Sequence, residues 1–173
     1  MRTAKIGSFS AGLCELKKLE ELNLSWNNFE GTLPSCLYNL TSLQVLDLYE
    51  NSFRGTISSH LIAALTSLKH IDLSYNLFDG FSFSSLANLS KLEFFQFKCD
   101  EKMVNIETET SDWVPLFQLE FLVISNCDLN KLSNQIPTFL FHQHSLRVLD
   151  LLQYVKRTVP WLVGWKQYKA GIC

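Results

Sequence analysis

The stretch Leu-Thr-Ser-Leu-Gln-Val-Leu-Asp-Leu-Tyr-Glu-Asn-Ser-Phe-Arg-Gly-Thr-Ile, residues 40 to 57, decides the fold. Its core-forming side chains recur after gaps of three, three and two residues and then continue past a polar asparagine; they are Leu40, Leu43, Leu46, Leu48, Phe53 and Ile57. An amphipathic helix would place apolar residues at i, i+3, i+4 and i+7, and a half-buried strand would alternate them. The stretch fits neither pattern and instead indicates a short strand that leads into a turn.

The same columns recur on both sides of this stretch. The preceding unit fills them with Leu16, Leu19, Leu22, Leu24, Asn27, Phe29, Gly31, Leu33 and Pro34. The following unit fills them with Leu65, Leu68, Ile71, Leu73, Asn76, Phe78 and Gly80. The steps are 24 residues from Leu16 to Leu40, 25 from Leu40 to Leu65 and 24 from Leu65 to Leu89. The chain is therefore a tandem array with one repeating unit.

The unit resembles the leucine-rich repeat, whose pattern is L-x-x-L-x-L-x-x-N/C-x-L. Phe53, Gly55 and Ile57 add the longer ending L-x-G-x-I-P of the plant type, with Ser58 in place of proline. The resemblance implies an α/β class leucine-rich repeat solenoid, or horseshoe. Short parallel β-strands would form its concave face, and turns with short 3-10 or α-helical segments would form its convex side.

Three residue columns have predicted structural roles. The asparagine column sits where each strand ends, and its amides can pair with turn backbone groups that must not stay unpaired inside a protein; it contains Asn27, Asn51 and Asn76. The phenylalanines two residues later should fill the wide part of each coil. The glycines are expected in turns that need an unusual backbone angle; they are Gly31, Gly55 and Gly80.

The array predicts three parts of the chain: an N-terminal segment without a recognisable cap at 1–15, about six repeats at 16–154, and a divergent tail at 155–173. In the fourth coil Asp100 stands in the asparagine column. An irregular acidic insert follows at 100–113, with five acids and one base, and we expect it to be a solvated loop rather than a recognition surface. The fifth coil starts at Leu116 and places Cys127 in the asparagine column. The sixth has Tyr154 there.

Charge excludes several classes of protein. With 15 Lys and Arg against 17 Asp and Glu, the formal net charge is -2, so no basic face indicates nucleic acid or an anionic membrane. No run approaches the ~18 to 20 apolar residues that cross a bilayer. The first residues are basic but lack the apolar core of a signal peptide. This chain is therefore expected to contain no membrane segment.

Five cysteines are scattered along the chain. Cys14 and Cys36 should lie on neighbouring coils, as should Cys99 and Cys127, so either pair could form a disulfide if the geometry permits. Buried or free thiols are the favoured expectation for both pairs. No C-x-x-C pair indicates zinc or redox chemistry.

A fuller resemblance, to the extracellular domains of plant receptor-like proteins, covers about residues 12–151. It rests on Gly-Thr-Leu-Pro at 31–34, Asn-Leu-Thr-Ser-Leu at 39–43, Phe-Ser-Phe-Ser-Ser-Leu-Ala-Asn at 81–88, Val-Pro-Leu-Phe-Gln-Leu at 114–119, Ile-Pro-Thr-Phe-Leu at 136–140 and His-Gln-His at 142–144. The resemblance implies a membrane-anchored receptor of the cell surface that recognises a peptide or protein ligand in signalling or defence, with a co-receptor kinase as a further partner. Such receptors begin with a paired-cysteine cap, so we expect a longer parent protein.

The outward residues of the strands are the predicted binding face, because repeat proteins use their concave surface for partners. The candidates are Trp26, Asp47, Tyr49, Glu50, His70, Asp72, Tyr75, Gln96 and Lys98. Aromatic anchors beside acids suit a peptide with basic groups. Six strands span about 24 Å, enough for a short extended peptide. The alternative is an ordinary solvated face.

Three sequons occur, at Asn23, Asn39 and Asn88. Asn23 lies inside a predicted strand and is discounted. Asn39 and Asn88 lie at coil entries, where a glycan is tolerated if the chain is secreted.

We expect no catalysis, cofactor or metal. His70, Asp72 and Ser74 alternate along one strand, and alternate residues of a single strand cannot by themselves build an oriented catalytic triad. No phosphate loop, metal-ligand spacing or nucleophile elbow occurs. Besides the receptor, two alternatives remain: a soluble scaffold or inhibitor that binds another protein, and a degenerate remnant without signalling function.

Overall fold

The computed structural model describes residues 12–100, 104–109, 113–133 and 135–152. The tail 155–173, Tyr154 and most of segment 1–15 lie outside them. The described strands are β1 Glu21–Asn23, β2 Glu30–Gly31, β3 Val45–Asp47, β4 Ser52–Gly55, β5 His70–Asp72, β6 Leu77–Phe78, β7 Gly80–Ser82, β8 Phe94–Lys98, β9 Asn105–Glu107, β10 Phe121–Ser125, β11 Asp128–Leu129 and β12 Val148–Asp150. The helices whose full bounds lie within the described residues are α1 Ser59–Ala64 and the 3-10 helices Ser35–Asn39, Phe83–Leu86 and Thr138–His142.

One strand from each coil joins a six-stranded parallel sheet in the order β1-β3-β5-β8-β10-β12. The register aligns equivalent positions of the repeat, so that Leu22, Leu46 and Ile71 are neighbours across three strands. Two smaller parallel sheets, β2-β4-β6 and β7-β9-β11, follow the turns. This arrangement confirms the predicted leucine-rich repeat solenoid with short parallel strands on one side and helical segments on the other.

The core is the stack of inward columns. Leu40, Leu43 and Leu46 are completely buried, as are their equivalents in the next two coils. Burial of each such side chain stabilises the fold by about 1.5–3 kcal/mol. Phe53 lies between the rings of Phe29 and Phe78, with centroids 6.1 and 6.4 Å away, and so fills the wide part of the coil.

The glycine column is not uniform. Gly31 and Gly55 have φ of 90° and 83°, which side chains adopt at a cost. Gly80 does not share this angle, so that prediction is wrong for the third coil. A Cβ at Gly80 would instead approach the carbonyl oxygen of Asn105 to 3.3 Å, because β9 runs directly beside it.

The asparagine column bonds neighbouring coils together. The Asn76 amide donates to the carbonyl of Leu48 in the preceding coil at 2.8 Å, and its Oδ1 accepts from the N–H of Phe53 at 3.1 Å. Asn51 makes the equivalent pair of bonds one coil earlier. Among the described residues, the exposed side-chain amide of Asn27 donates only to carbonyls of its own coil. Each inner amide thus pairs backbone groups of two coils.

The fourth coil departs from the expected ladder. Asp100 is exposed and does not occupy the asparagine column, whereas Cys99 is 1% exposed and forms a disulfide with Cys127, with Cα atoms 5.3 Å apart. Cys127 Sγ lies 3.3 Å from the carbonyl oxygen of Ser125, but a disulfide sulfur has no proton to donate. A covalent link therefore stands where the preceding coils use an amide.

Cys14 and Cys36 form a second disulfide, with Cα atoms 5.6 Å apart. The expectation of free or buried thiols is thus wrong for both pairs. Spacing brought each pair onto adjacent coils but could not show that their Cβ atoms face one another.

The acidic insert is not simply a solvated loop. Its residues 105–107 form β9, which pairs with β7 and β11, and Ile106 is completely buried. Glu109 accepts hydrogen bonds from the N–H and the hydroxyl of Thr138, both at 2.9 Å, at the start of a 3-10 helix. The Trp113 ring packs 5.5 Å from that of Phe139. The insert adds apolar residues to the core, which its acidic composition hides.

Two predicted first-column leucines are not in the core. Leu116 is 62% exposed, and its neighbour Phe117 is completely buried instead. Leu16 is 50% exposed, because among the described residues no earlier coil covers it. In the sixth coil, Gln143 occupies the first leucine column. Its Oε1 accepts from the N–H of Leu119 at 2.8 Å.

Candidate ligand-binding face

The concave face consists of the outward residues of the six-stranded sheet and the turn residues that follow. We name three rows across the strands. The entry row contains Glu21, Val45, His70, Phe94, Phe121 and Val148. The middle row contains Asn23, Asp47, Asp72, Gln96, Val123 and Asp150. The exit row contains Ser25, Tyr49, Ser74, Lys98, Ser125 and Leu152.

Three predicted aromatic residues come together at the exit side, and we call them the exit trio: Trp26, Tyr49 and Tyr75. The ring centroids of Trp26 and Tyr49 are 5.1 Å apart, and those of Tyr49 and Tyr75 are 5.3 Å apart with an edge-to-face geometry. Trp26 is 70% exposed. Exposed aromatic rings held against one another form a pre-organised apolar surface.

The turn backbone positions two of these rings. Trp26 and Tyr75 have φ of 57° and 53°, the left-handed region that non-glycine residues rarely adopt. Glu50 and Asn126 share this conformation in their own coils, with φ of 51° and 62°. Because four coils share this conformation with different side chains, it is a property of the turn in the repeat. An aromatic side chain can therefore occupy this position.

Two carboxylates meet in the middle row. Asp47 and Asp72 are register partners on β3 and β5. Asp72 accepts from the N–H of Ser74 and from the amide of Gln96, both at 2.9 Å. Asp47 accepts from the N–H of Tyr49 at 3.0 Å. No ion pair joins either carboxylate to a cation among the residues that the structure describes, so their charges remain unneutralised there.

Burial raises the pKa of the Asp72 carboxyl above its ordinary value of 3.8. The hydrogen bonds from Ser74 oppose this shift, and the neighbouring Asp47 charge adds to it. Like charges on adjacent strands are destabilising, so this pair contributes charge to the face at a cost to the fold.

A second aromatic surface lies along the entry row, and we call it the entry stack: His70, Phe94 and Phe121. The rings are nearly parallel, with centroids 3.8 Å apart for His70 and Phe94 and 4.3 Å apart for Phe94 and Phe121. All three are half-buried. Burial lowers the pKa of His70 below 6.5, although the charges of Asp72, Asp47 and Glu21 oppose the shift.

Sequence reasoning placed His70 on this face but missed Phe94 and Phe121. A sequence signal for this surface exists at the position just before the first inward residue of each strand. Five of the six coils carry an apolar or aromatic side chain at that position. Both phenylalanines read as core residues next to the inward Phe95 and Leu122, so their outward direction follows only from the strand register.

The other predicted residues complete a negative face. Glu50 is exposed at the turn, and Gln96 is tied to Asp72. Lys98 is half-buried in the exit row. Among the described outward residues five are acids and one is a lysine, which gives -4 with His70 neutral; the acids are Glu21, Asp47, Glu50, Asp72 and Asp150.

The sequon asparagines lie away from this face, with one exception. Asn39 is the last residue of the 3-10 helix Ser35–Asn39, Asn88 follows the helix Phe83–Leu86, and both are exposed. Asn23 lies in β1, where its amide donates to Asp47 at 3.2 Å and its Oδ1 accepts from the N–H of Ser25 at 2.9 Å. Its side chain is thus engaged in the sheet.

Within residues 12–100, 104–109, 113–133 and 135–152, no group of three or more His, Cys, Asp or Glu side chains is arranged to hold a metal ion. No helix in that part of the chain has the length and apolarity needed to traverse a bilayer. His70 stacks on Phe94, and the Ser74 hydroxyl oxygen accepts from the Lys98 N–H at 3.0 Å. In this arrangement the histidine is not placed as a base for the serine.

Comparison with known proteins gives three findings. A family model described as Leucine rich repeat matches residues 17–78. Cuscuta receptor 1 from Solanum lycopersicum is 45% identical over 151 residues, 81% of this chain and 12% of the relative. Receptor-like protein 14 from Arabidopsis thaliana is 48% identical over 138 residues, 80% of this chain and 14% of the relative. The chain therefore spans about one eighth of the length of these relatives.

Two solved structures share the architecture. The plant peptide hormone receptor RGFR1 in complex with RGF2 has a TM-score of 0.60 and 26% identity, over 80% of this chain and 21% of that one. The Arabidopsis receptor kinase HAESA in complex with the peptide hormone IDA and the co-receptor SERK1 has a TM-score of 0.60 and 25% identity, over 81% of this chain and 22% of that one.

Proposed function

Because this chain belongs to the plant leucine-rich repeat receptor-like proteins, we propose that its concave face recognises a peptide or protein ligand without chemical conversion. The two solved structures named above hold peptide hormones, which supports a peptide as the ligand class here. The same resemblance supports a place at the cell surface, with a co-receptor kinase as a further partner.

The exit trio is the observation that carries this proposal. Trp26 and Tyr49 present a continuous aromatic surface on the side where the sheet is uncovered, and Trp26 is 70% exposed. A fold that needed these rings for stability would bury them. Aromatic residues of this kind dominate the binding energy of interfaces, where one ring contributes about 2 kcal/mol or more.

A peptide selection tests the proposal. The disulfide-intact chain is panned against a library of random displayed peptides, and the recovered peptides are synthesised and titrated calorimetrically. The double variant Trp26→Ala, Tyr49→Ala is expected to weaken binding at least tenfold, because it removes two anchors. The matched control is Phe141→Ser, which removes an exposed ring, 75% accessible, from the convex 3-10 helix Thr138–His142 and should change binding less than twofold.

Each variant is first checked by circular dichroism and thermal unfolding, so that loss of binding is not loss of fold. Recovered peptides that bind the double variant as tightly as the parent chain would contradict the proposal. So would peptides that lose binding only with Phe141→Ser, because the ligand would then lie on the convex side.

A further inference from the structure

The two aromatic surfaces of the concave face lie at opposite ends of one diagonal. The exit trio crosses the first three coils where the strands end. The entry stack crosses the third to fifth coils where the strands begin. A ligand that runs straight along one row would contact only one of them.

The register fixes what lies between them. Phe94 on β8 is the register partner of His70 on β5, and His70 is in turn the register partner of Val45 on β3. Tyr49 follows Val45 by four residues. From Tyr49 to Phe94 is therefore four residues along the strand direction and two strands across. With a rise of about 3.3 Å per residue and a strand spacing of about 4.8 Å, the diagonal is about 16 Å long.

Asp72 occupies the midpoint of this diagonal. It lies on β5, the strand between β3 and β8, and in the middle row between the exit and entry rows. Its register partner Asp47 brings a second carboxylate to the same place. Lys98 lies at a corner off the diagonal, on β8 in the exit row. The centre of the path is thus acidic, and both of its ends are aromatic.

An extended peptide matches this spacing. From residue i to residue i+4 an extended peptide spans four rises of about 3.3 Å, or about 13 Å, and alternate side chains point to the same side, so the two outer side chains have to reach over the remaining ~3 Å. Residues i, i+2 and i+4 would face the sheet together. The outer two would meet the exit trio and the entry stack, and the central one would meet Asp47 and Asp72.

The charge of the face determines which residue of the peptide fits at the centre of the diagonal. Among the described side chains no cation forms an ion pair with Asp47 or Asp72. Asp72 is 7% exposed and its two oxygens already accept from Ser74 and Gln96, whereas Asp47 is half-buried and is the more accessible carboxylate of the pair. An arginine guanidinium offers donors in a fork that suits carboxylates, and it would relieve the repulsion between the two acids. An acidic residue there would add a third like charge.

On these grounds, and resting on the proposed peptide-binding function, we propose that the concave face binds an extended peptide of the pattern hydrophobic-x-basic-x-hydrophobic. The ligand crosses the strands diagonally from Tyr49 over Asp72 to Phe94. The entry stack is its second hydrophobic subsite.

A set of capped pentapeptides tests the pattern. The probe is acetyl-Phe-Ser-Arg-Ser-Phe-amide, and its affinity is measured from amide shifts of the isotope-labelled chain. A glutamate in place of the arginine is expected to weaken binding at least tenfold. Acetyl-Phe-Arg-Ser-Ser-Phe-amide should also bind at least tenfold more weakly, because its arginine points away from the sheet. This ligand series needs no variant that has to fold.

One pair of variants locates the basic subsite. Asp72→Asn keeps a carbonyl oxygen for the Ser74 N–H and is expected to weaken the arginine peptide at least fivefold. Asp150→Asn removes the same charge from the same row but on β12, off the diagonal, and should change affinity less than twofold. Equal affinity for the arginine and glutamate peptides, or equal losses in the two variants, would overturn the pattern.

The pattern and the proposed function fail in different ways. If library peptides lose binding with Trp26→Ala, Tyr49→Ala but show no preference for a central basic residue, the concave face is the binding site and the pattern is wrong. If no peptide depends on the exit trio, both are wrong.

Discussion

The asparagine column allows a paired test of what holds neighbouring coils together. Asn76→Ala removes the donor to the Leu48 carbonyl and leaves the buried Phe53 N–H without its acceptor. Asn27→Ala makes the same change in the same column, but the Asn27 side chain is exposed and bonds only within its own coil. The substitutions match in chemistry and differ in burial.

The magnitudes follow from the groups left unpaired. A buried N–H without a partner costs about 1–3 kcal/mol, and each lost net hydrogen bond costs about 0.5–1.5 kcal/mol. Asn76→Ala should therefore lower the free energy of unfolding by about 2–4 kcal/mol. Asn27→Ala should lower it by less than about 1 kcal/mol, because water replaces the lost bonds.

Equilibrium urea unfolding, followed by circular dichroism on the disulfide-intact chain, measures both changes. With a denaturant slope of about 2 kcal/mol per M, the midpoint should fall by about 1–2 M for Asn76→Ala and by less than about 0.5 M for Asn27→Ala. Equal midpoint shifts in the two variants would refute the view that the inner amides link the coils.

Three further predictions concern the disulfides, the pH response and the sequons. Replacing Cys99 and Cys127 by alanine opens a link across a sequence separation of 28 and should cost about 3–4 kcal/mol in urea unfolding; an unchanged midpoint would contradict a closed bridge. Because the pKa of His70 is lowered in the fold, its contribution to stability is present above pH 6.5 and is lost as the pH falls below that value. The urea midpoint of the parent chain should therefore fall between about pH 7 and pH 5, and that of His70→Phe should fall less. Equal falls in the two chains would count against this role of His70. In a chain directed to the secretory pathway, Asn39→Gln and Asn88→Gln should each remove one glycan, seen as a step in gel mobility, whereas Asn23→Gln should not; a step for Asn23→Gln would show that its sheet bonds do not protect it.

Periodicity predicted the parts of the fold that repeat. A spacing of 24 or 25 residues from one first leucine to the next places the inward residues of each coil in register, so Leu46 and Ile71 were found as neighbours. The same spacing places Tyr49 at an outward position of its strand, whereas Trp26 and Tyr75 follow in the turn, where the left-handed backbone directs their rings to the same side.

Positions where the chain slips by one residue could not be predicted. Cys99 turns inward in place of Asp100, and Phe117 takes the core position expected of Leu116. In both cases the repeat spacing does not decide which of the two adjacent residues faces the core. The disulfide to Cys127 decides it for Cys99, and packing around the insert decides it for Phe117. β9 was hidden for a related reason, because the polar residues Asn105 and Glu107 flank its buried Ile106.

The most direct measurement is the footprint of the arginine pentapeptide on the labelled chain. If the concave face is the ligand site, amide shifts on binding should cluster at Tyr49, Asp72 and Phe94, and the signals of Asn88 and Phe141 on the opposite side should stay in place. Shifts that centre on Phe141, or that spread evenly over both sides, would contradict the concave face as the place of recognition.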